Sequence, residues 1–158
     1  MKLIEYFENN KESMNNSLKH LEKLDKLISC HGHIHILFVI IDYLKNIYKR
    51  TEIKYLEIGV FKGSSICLCM QNPINVNYTG IDFFNLNYGH KYPKENVIKN
   101  IDKHNIYNHK YKLITGNSTE EKTYKQLNGL YDLIFIDGDH SYSGVIKDFY
   151  IYSKFIKN

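Results

Sequence analysis

Residues Tyr131–Tyr142 read YDLIFIDGDHSY, six residues of buried-strand character followed at once by Asp-Gly-Asp-His. A short apolar run bounded by turn residues marks a strand covered on both faces. Two carboxylates, a glycine and an imidazole at its end leave four uses open: holding a metal, moving a proton, binding a cofactor, or making a polar turn.

Upstream, the same punctuation recurs. KYLEIGV from Lys54 is a strand ending in glycine, and KGSSICLCM from Lys62 is a helix entered through small polar residues. VNYTGIDFF is a second strand ending in Asp82, ENVIKNIDKHN a helix, YKLITGNS a third strand, and TEEKTYKQL a short helix that Ser118 or Thr119 caps. After the fourth strand, YSGVIKDFYIYSKFI is the last helix. Strands alternating with helices predict an α/β fold, a parallel sheet with helices on both faces. Ahead of it, residues 3–29 place Leu18, Leu21, Leu24, Leu27 and Ile28 at helical spacing, and Ile34–Tyr48 resume as a second, more buried helix. The chain therefore divides into a helical segment over residues 1–50, packed on the core, and an α/β domain over residues 51–158.

Ligands of open α/β sheets bind outside the carboxyl ends of the strands. Here those ends carry Glu57 and Gly59, then Asp82, then Asn117 and Ser118, then Asp137 and Asp139, so four polar clusters fall on one rim. Gly59 and Gly63 bracket a strand-to-helix turn through which a ligand can approach the backbone, although G-x-x-x-G alone equally describes a tight turn before a Ser-rich helix start. Asp82 follows Gly59 by 23 positions. That is close to the ~20-residue offset at which an acid accepts from ribose hydroxyls. A turn-forming Asp is the plainer reading, but beside the first turn the ribose reading is the better one, and it implies an adenosine-type cofactor.

YLEIGVFKGSS, YTGIDFF, LITGNSTE and YDLIFIDGDHSYSGVIKDF together resemble a class I S-adenosylmethionine-dependent methyltransferase. The last block resembles the branch with an IDGDHSY motif, which holds macrocin- and novobiocin-type O-methyltransferases and cephalosporin-hydroxylase-like proteins. The resemblance covers roughly residues 51–156. It implies a Rossmann-like sheet of about four strands in the order 3-2-1-4, preceded by two N-terminal helices. It further implies that Glu57, Gly59, Gly63 and Ser64 surround the methionine end of S-adenosylmethionine, that Asp82 takes the ribose hydroxyls, and that Asn117 and Ser118 border the adenine. Asp137 would face the sulfonium or ligate a divalent metal, Mg²⁺ by the hardness of its oxygen ligands. Asp139 would be the base for an acceptor hydroxyl. His140 competes for that role because an unperturbed imidazole titrates near neutrality.

The expected function is methyl transfer to a small-molecule or sugar hydroxyl. Members of this family continue into a fifth strand, whereas this sequence stops before one. The fourth strand is thus expected to leave an open edge, and a truncated, non-catalytic binding subunit, dimerising through that edge, is the alternative. A metal-dependent sugar-nucleotide transferase using Asp-Gly-Asp ranks lower, because it leaves Glu57–Gly63 and Asp82 without a role.

Composition closes off other classes. A net charge of +4 spread along 158 residues, with the single Arg at Arg50, gives no concentrated basic face for specific nucleic-acid binding. The apolar run IHILFVII (Ile34–Ile41) is far short of the ~20 residues that span a bilayer, and the amino terminus lacks a signal-peptide core. Cys30, Cys67 and Cys69 read as free thiols, so a soluble, cytoplasmic protein is expected. CHGHIHI (Cys30–Ile36) hints at zinc but lacks a second cluster at ligand spacing. The loop NLNYGHKYP (Asn85–Pro93) reads as solvated.

Overall fold

The computed structural model describes residues 2–24, 34–84 and 92–158. Four parallel strands form one sheet in the order β3-β2-β1-β4, with β1 at Ile53–Ile58, β2 at Val76–Asp82, β3 at Tyr111–Thr115 and β4 at Leu133–Ile136. This is the order expected from the sequence. Tyr55 pairs with Tyr78 on one side and Leu133 on the other, so β1 lies in the centre, and that is why IKYLEI is buried almost throughout.

Side chains alternate across the sheet, and each set meets its own helices. Ile53, Tyr55, Val76 and Tyr78 point into a cluster closed by α3 (His35–Ile47), α4 (Ser64–Cys69) and α5 (Lys94–His104). Leu56, Ile58, Ile81 and Ile114 point the other way, toward Leu127, Tyr131 and Tyr152 beside α6 (Glu121–Tyr124) and α7 (Tyr142–Tyr152). Cys67 and Cys69 are buried in α4 as core thiols. Glu120 stands at the N-cap of α6 with no side-chain cap, so neither Ser118 nor Thr119 serves there; Ser118 is drawn instead to α7, where its carbonyl accepts from the Tyr152 hydroxyl at 2.7 Å.

The amino-terminal stretch is finer-grained than its periodicity predicts. Helix α1 (Leu3–Asn9) ends and α2 (Lys11–Lys23) begins at Asn10, whose side-chain amide donates to Tyr6 O at 2.9 Å. A short amide that satisfies a backbone carbonyl locally competes with continuing the helix. Leu27, Ile28, Cys30, His31 and His33 lie outside the described residues, as does most of the Asn85–Pro93 loop. Helix α3 contributes Leu37 and Ile41 to the main core, and Val39 and Tyr43 to a satellite cluster with Tyr6.

The outer edge of β4 is open along Leu133–Ile136 among the described residues. Only at its foot does another segment pair with it, where Ile156 bridges Tyr131 in parallel. No helix of the described residues is long and apolar enough to cross a membrane.

Candidate functional site

The four strand ends open onto one cavity of about 510 Å³, lined among others by Gly59, Asp82, Asn117, Ser118, Asp137 and Asp139. Parallel strands running the same way put all their carboxyl ends on one rim, so residues far apart in sequence converge. The volume lies within the range of small-molecule and cofactor sites.

Gly59 is where the strand ends come closest. Its φ is +89°, and a Cβ built on it would sit 2.2 Å from the Asp137 carbonyl oxygen, so only glycine lets the β1 turn pass the end of β4. Asp82 organises the next wall. Its Oδ2 accepts from Phe61 N at 2.7 Å and its Oδ1 from Phe84 N at 2.9 Å. Both phenylalanines have left-handed backbone, with φ of 49° and 53°. A carboxylate that takes two backbone N–H groups is a strong clamp for such turns.

Around the remaining wall, Asn117 Oδ1 accepts from Thr119 N at 3.0 Å and from the Thr119 hydroxyl at 2.9 Å, shaping the turn after β3. At the β4 end, Asp137 Oδ1 lies 3.2 Å from Nε2 of His140, whose side chain is exposed. Asp139 turns back onto α7. Its Oδ1 accepts from Ser141 N at 2.9 Å, and its side chain occupies the space that a Cβ on Gly144 would need. The Ser141 N–H holds the Asp139 carboxyl below its ordinary value, so it is ionised.

Three residues expected around the cofactor stand behind the cavity rather than on its wall. Glu57 is 1% exposed on the α4-covered face, where it accepts from the Tyr55 and Ser65 hydroxyls at 2.5 Å each. Burial pushes its pKa up to about 8, against the lowering effect of those two hydrogen bonds. Gly63 faces Val97 and Ile101 of α5 with φ of +82°, and Ser64 is buried at the start of α4. Conversely, Phe61, Phe83, Ser143, Lys147 and Asp148 line the cavity without having been singled out in the sequence. For Asp148 a signal existed: it lies on the inner face of α7 with Gly144 and Tyr152, at spacings of four, where a carboxylate is out of place.

The arrangement suits a polar, adenosine-type cofactor better than a metal. The glycine passage at Gly59, the Asp82 carboxylate and the unpartnered, buried carboxylate of Asp148 all await hydrogen-bond donors or close approach. Among the described residues no group of three or more His, Cys, Asp or Glu side chains is gathered for a metal ion. Asp137 pairs with His140 and Asp139 is turned to Ser141, so the Mg²⁺ role expected for Asp137 has no supporting ligand set.

Comparisons with known proteins agree with this geometry. Residues 56–158 match the family model described as a methyltransferase domain. The protein R132 of Acanthamoeba polyphaga mimivirus is 37% identical over 126 residues, 77% of this chain and 55% of that protein. A protein described as a caffeoyl-CoA O-methyltransferase from Staphylococcus aureus superposes with a TM-score of 0.57 at 20% identity, over 98% of this chain and 66% of its own. Cofactor-bound Rv0187 from MTB gives 0.58 at 15% identity, over 93% of this chain and 62% of its own. The chain thus spans between about half and two thirds of the length of these relatives. A cavity built from four strand ends and a family match across all of them lead to one conclusion: this chain belongs to the methyltransferase domain family.

Proposed function

We propose that the chain binds S-adenosylmethionine on the strand-end rim and transfers its methyl group to a hydroxyl of a small molecule or sugar. The observation that carries this reading is the convergence of Gly59, Asp82, Asn117, Ser118 and Asp137 on a single cavity. Asp82 receives the ribose hydroxyls, the Asn117–Ser118 turn borders the adenine, and the Gly59 passage admits the methionine end. Glu57, Gly63 and Ser64 hold that passage from behind. When bound, the cofactor supplies an electrophilic methyl carbon on a sulfonium, so the protein's share is alignment and removal of a proton.

Asp139 and His140 are the candidate bases for that proton, and their hydrogen-bond partners support His140. The Asp139 carboxylate is committed to Ser141 N–H, whereas His140 is oriented by Asp137 at 3.2 Å. A carboxylate on Nε2 fixes the proton there and makes Nδ1 the basic nitrogen. Titration calorimetry with S-adenosylhomocysteine tests the cofactor reading. Saturable binding competed by S-adenosylmethionine is expected, and a flat titration would sink it. Radiolabelled methyl transfer to a panel of phenols, sugars and alcohols then tests the acceptor class, with His140→Ala expected to reduce turnover about 10²–10⁴-fold.

A second reading is supported by the open edge of β4 and by the exposed apolar side chains of α7 beside it: the chain acts as a non-catalytic partner subunit that pairs with a second copy of itself.

A further inference from the structure

The Asp148 carboxylate is 1% exposed, lies on the cavity wall, and has no hydrogen-bond partner for either oxygen. Its Oδ2 lies 3.3 Å from the position a Cβ on Gly138 would take, so the carboxylate sits against the glycine of the turn after β4. Burial pushes the Asp148 carboxyl above the usual carboxylate value, against the smaller opposing effect of the Ser118 hydroxyl beside it. Buried polar groups in folded proteins are almost always paired, and a carboxylate left unpaired is among the costliest exceptions. A site that presents one to a cavity is built for a donor that arrives with the ligand.

The cofactor reading identifies the donor. With Asp82 on the ribose and the Asn117–Ser118 turn beside the base, the part of the ligand nearest Asp148 is the purine. Adenine carries one strong donor on its edge, the 6-amino group, and its ring nitrogens are acceptors that a hydroxyl such as that of Ser118 can serve. We infer that Asp148 determines nucleobase specificity, its carboxylate accepting from the 6-amino group of adenine and rejecting purines with a 6-oxo group. This inference rests on the proposed cofactor. A 6-oxo oxygen would set lone pairs against a buried carboxylate, which is discrimination by repulsion as well as by attraction.

Calorimetry on the whole chain with S-adenosylhomocysteine and its 6-oxo analogue S-inosylhomocysteine tests it, alongside thermal melts without ligand. The wild type is expected to prefer the adenine ligand at least tenfold. Asp148→Leu loses about 10- to 100-fold in affinity for S-adenosylhomocysteine, the worth of a hydrogen bond to a charged group. In Asp148→Asn, whose amide can donate to a 6-oxo group, the preference narrows. Both ligand-free variants should melt at or above the wild-type temperature, because an unpartnered buried acid has been removed; if Asp148→Leu does not fold, Asp148→Asn decides. An unchanged purine preference in a folded variant that still binds S-adenosylhomocysteine would overturn the role of Asp148. So would ligand-free melts of both variants well below wild type, which would mark a structural acid. No binding of S-adenosylhomocysteine to the wild type would overturn the cofactor reading, and this inference with it.

Discussion

Glu57 shows how one residue can look like a ligand in the sequence and act as a support in the fold. It stands at the end of β1 beside Gly59, but strand alternation turns it onto the face that α4 covers, where Tyr55 and Ser65 hold it. Burial is the largest influence on it and raises its pKa from 4.5 to about 8, so the folded chain holds a proton at neutral pH that the unfolded chain releases. Between those two values the native state binds the extra proton, and stability therefore falls as pH rises, by up to ~1.4 kcal/mol per unit. Glu57→Gln, which mimics the protonated form, should flatten this decline. Urea denaturation of both proteins at pH 5 and pH 8 checks it, and parallel curves for the two would refute the protonated state. Asp82 is the contrasting case, since it does line the cavity and its carboxylate also ties down Phe61 and Phe84. Its position could be read from the spacing to Gly59, but its clamp on two left-handed turns could not, because nothing in the apolar residues of IDFF (Ile81–Phe84) or in Phe61 signals a positive φ.

At the level of elements, the strand-to-helix turns set the site. The turn after β1 passes within contact distance of the turn after β4, and Gly59 is the residue that permits it. Gly59→Ala adds both a clash with the Asp137 carbonyl and a positive-φ penalty, so a loss of about 2–4 kcal/mol is expected by chemical denaturation. A shift below ~1 kcal/mol would mean that the two turns separate easily and that the cavity is not rigid there. The strands themselves were legible because each is a compact β-branched or aromatic run with turn residues at its end. Helix boundaries were less so. Asn10 interrupts the amino-terminal helix through its own side-chain hydrogen bond, and α6 starts after Glu120, leaving Ser118 outside the cap position with its carbonyl bonded to Tyr152 of α7. Both outcomes depend on which partner is nearest in space.

For the molecule as a whole, the described sheet has two edge strands, β3 and β4. Helix α7 exposes Tyr142, Val145, Phe149 and Tyr150, each at least 44% exposed, at helical spacing beside the open edge of β4. Under the partner-subunit reading, two copies meet through this stripe, as a two-fold interface is self-complementary. Light scattering should then show a dimer that Phe149→Asp weakens at least tenfold, since a charge placed in the interface is left unpaired. A wild type that remains monomeric at high concentration would remove the second reading.

The sequence by itself determined the alternation of strands and helices, the strand order through its resemblance, and the set of polar residues at the strand ends, because those features are written in local periodicity and turn chemistry. Only the tertiary structure decided which of those residues face the cavity. Glu57 and Gly63 turn to the helices behind, Asp139 stays on the cavity wall while bonded to the start of α7, and Asp148 arrives from a helix as an unpartnered carboxylate. The physical reason is that spacing places a residue on a rim, whereas the direction of its side chain depends on which element packs over it.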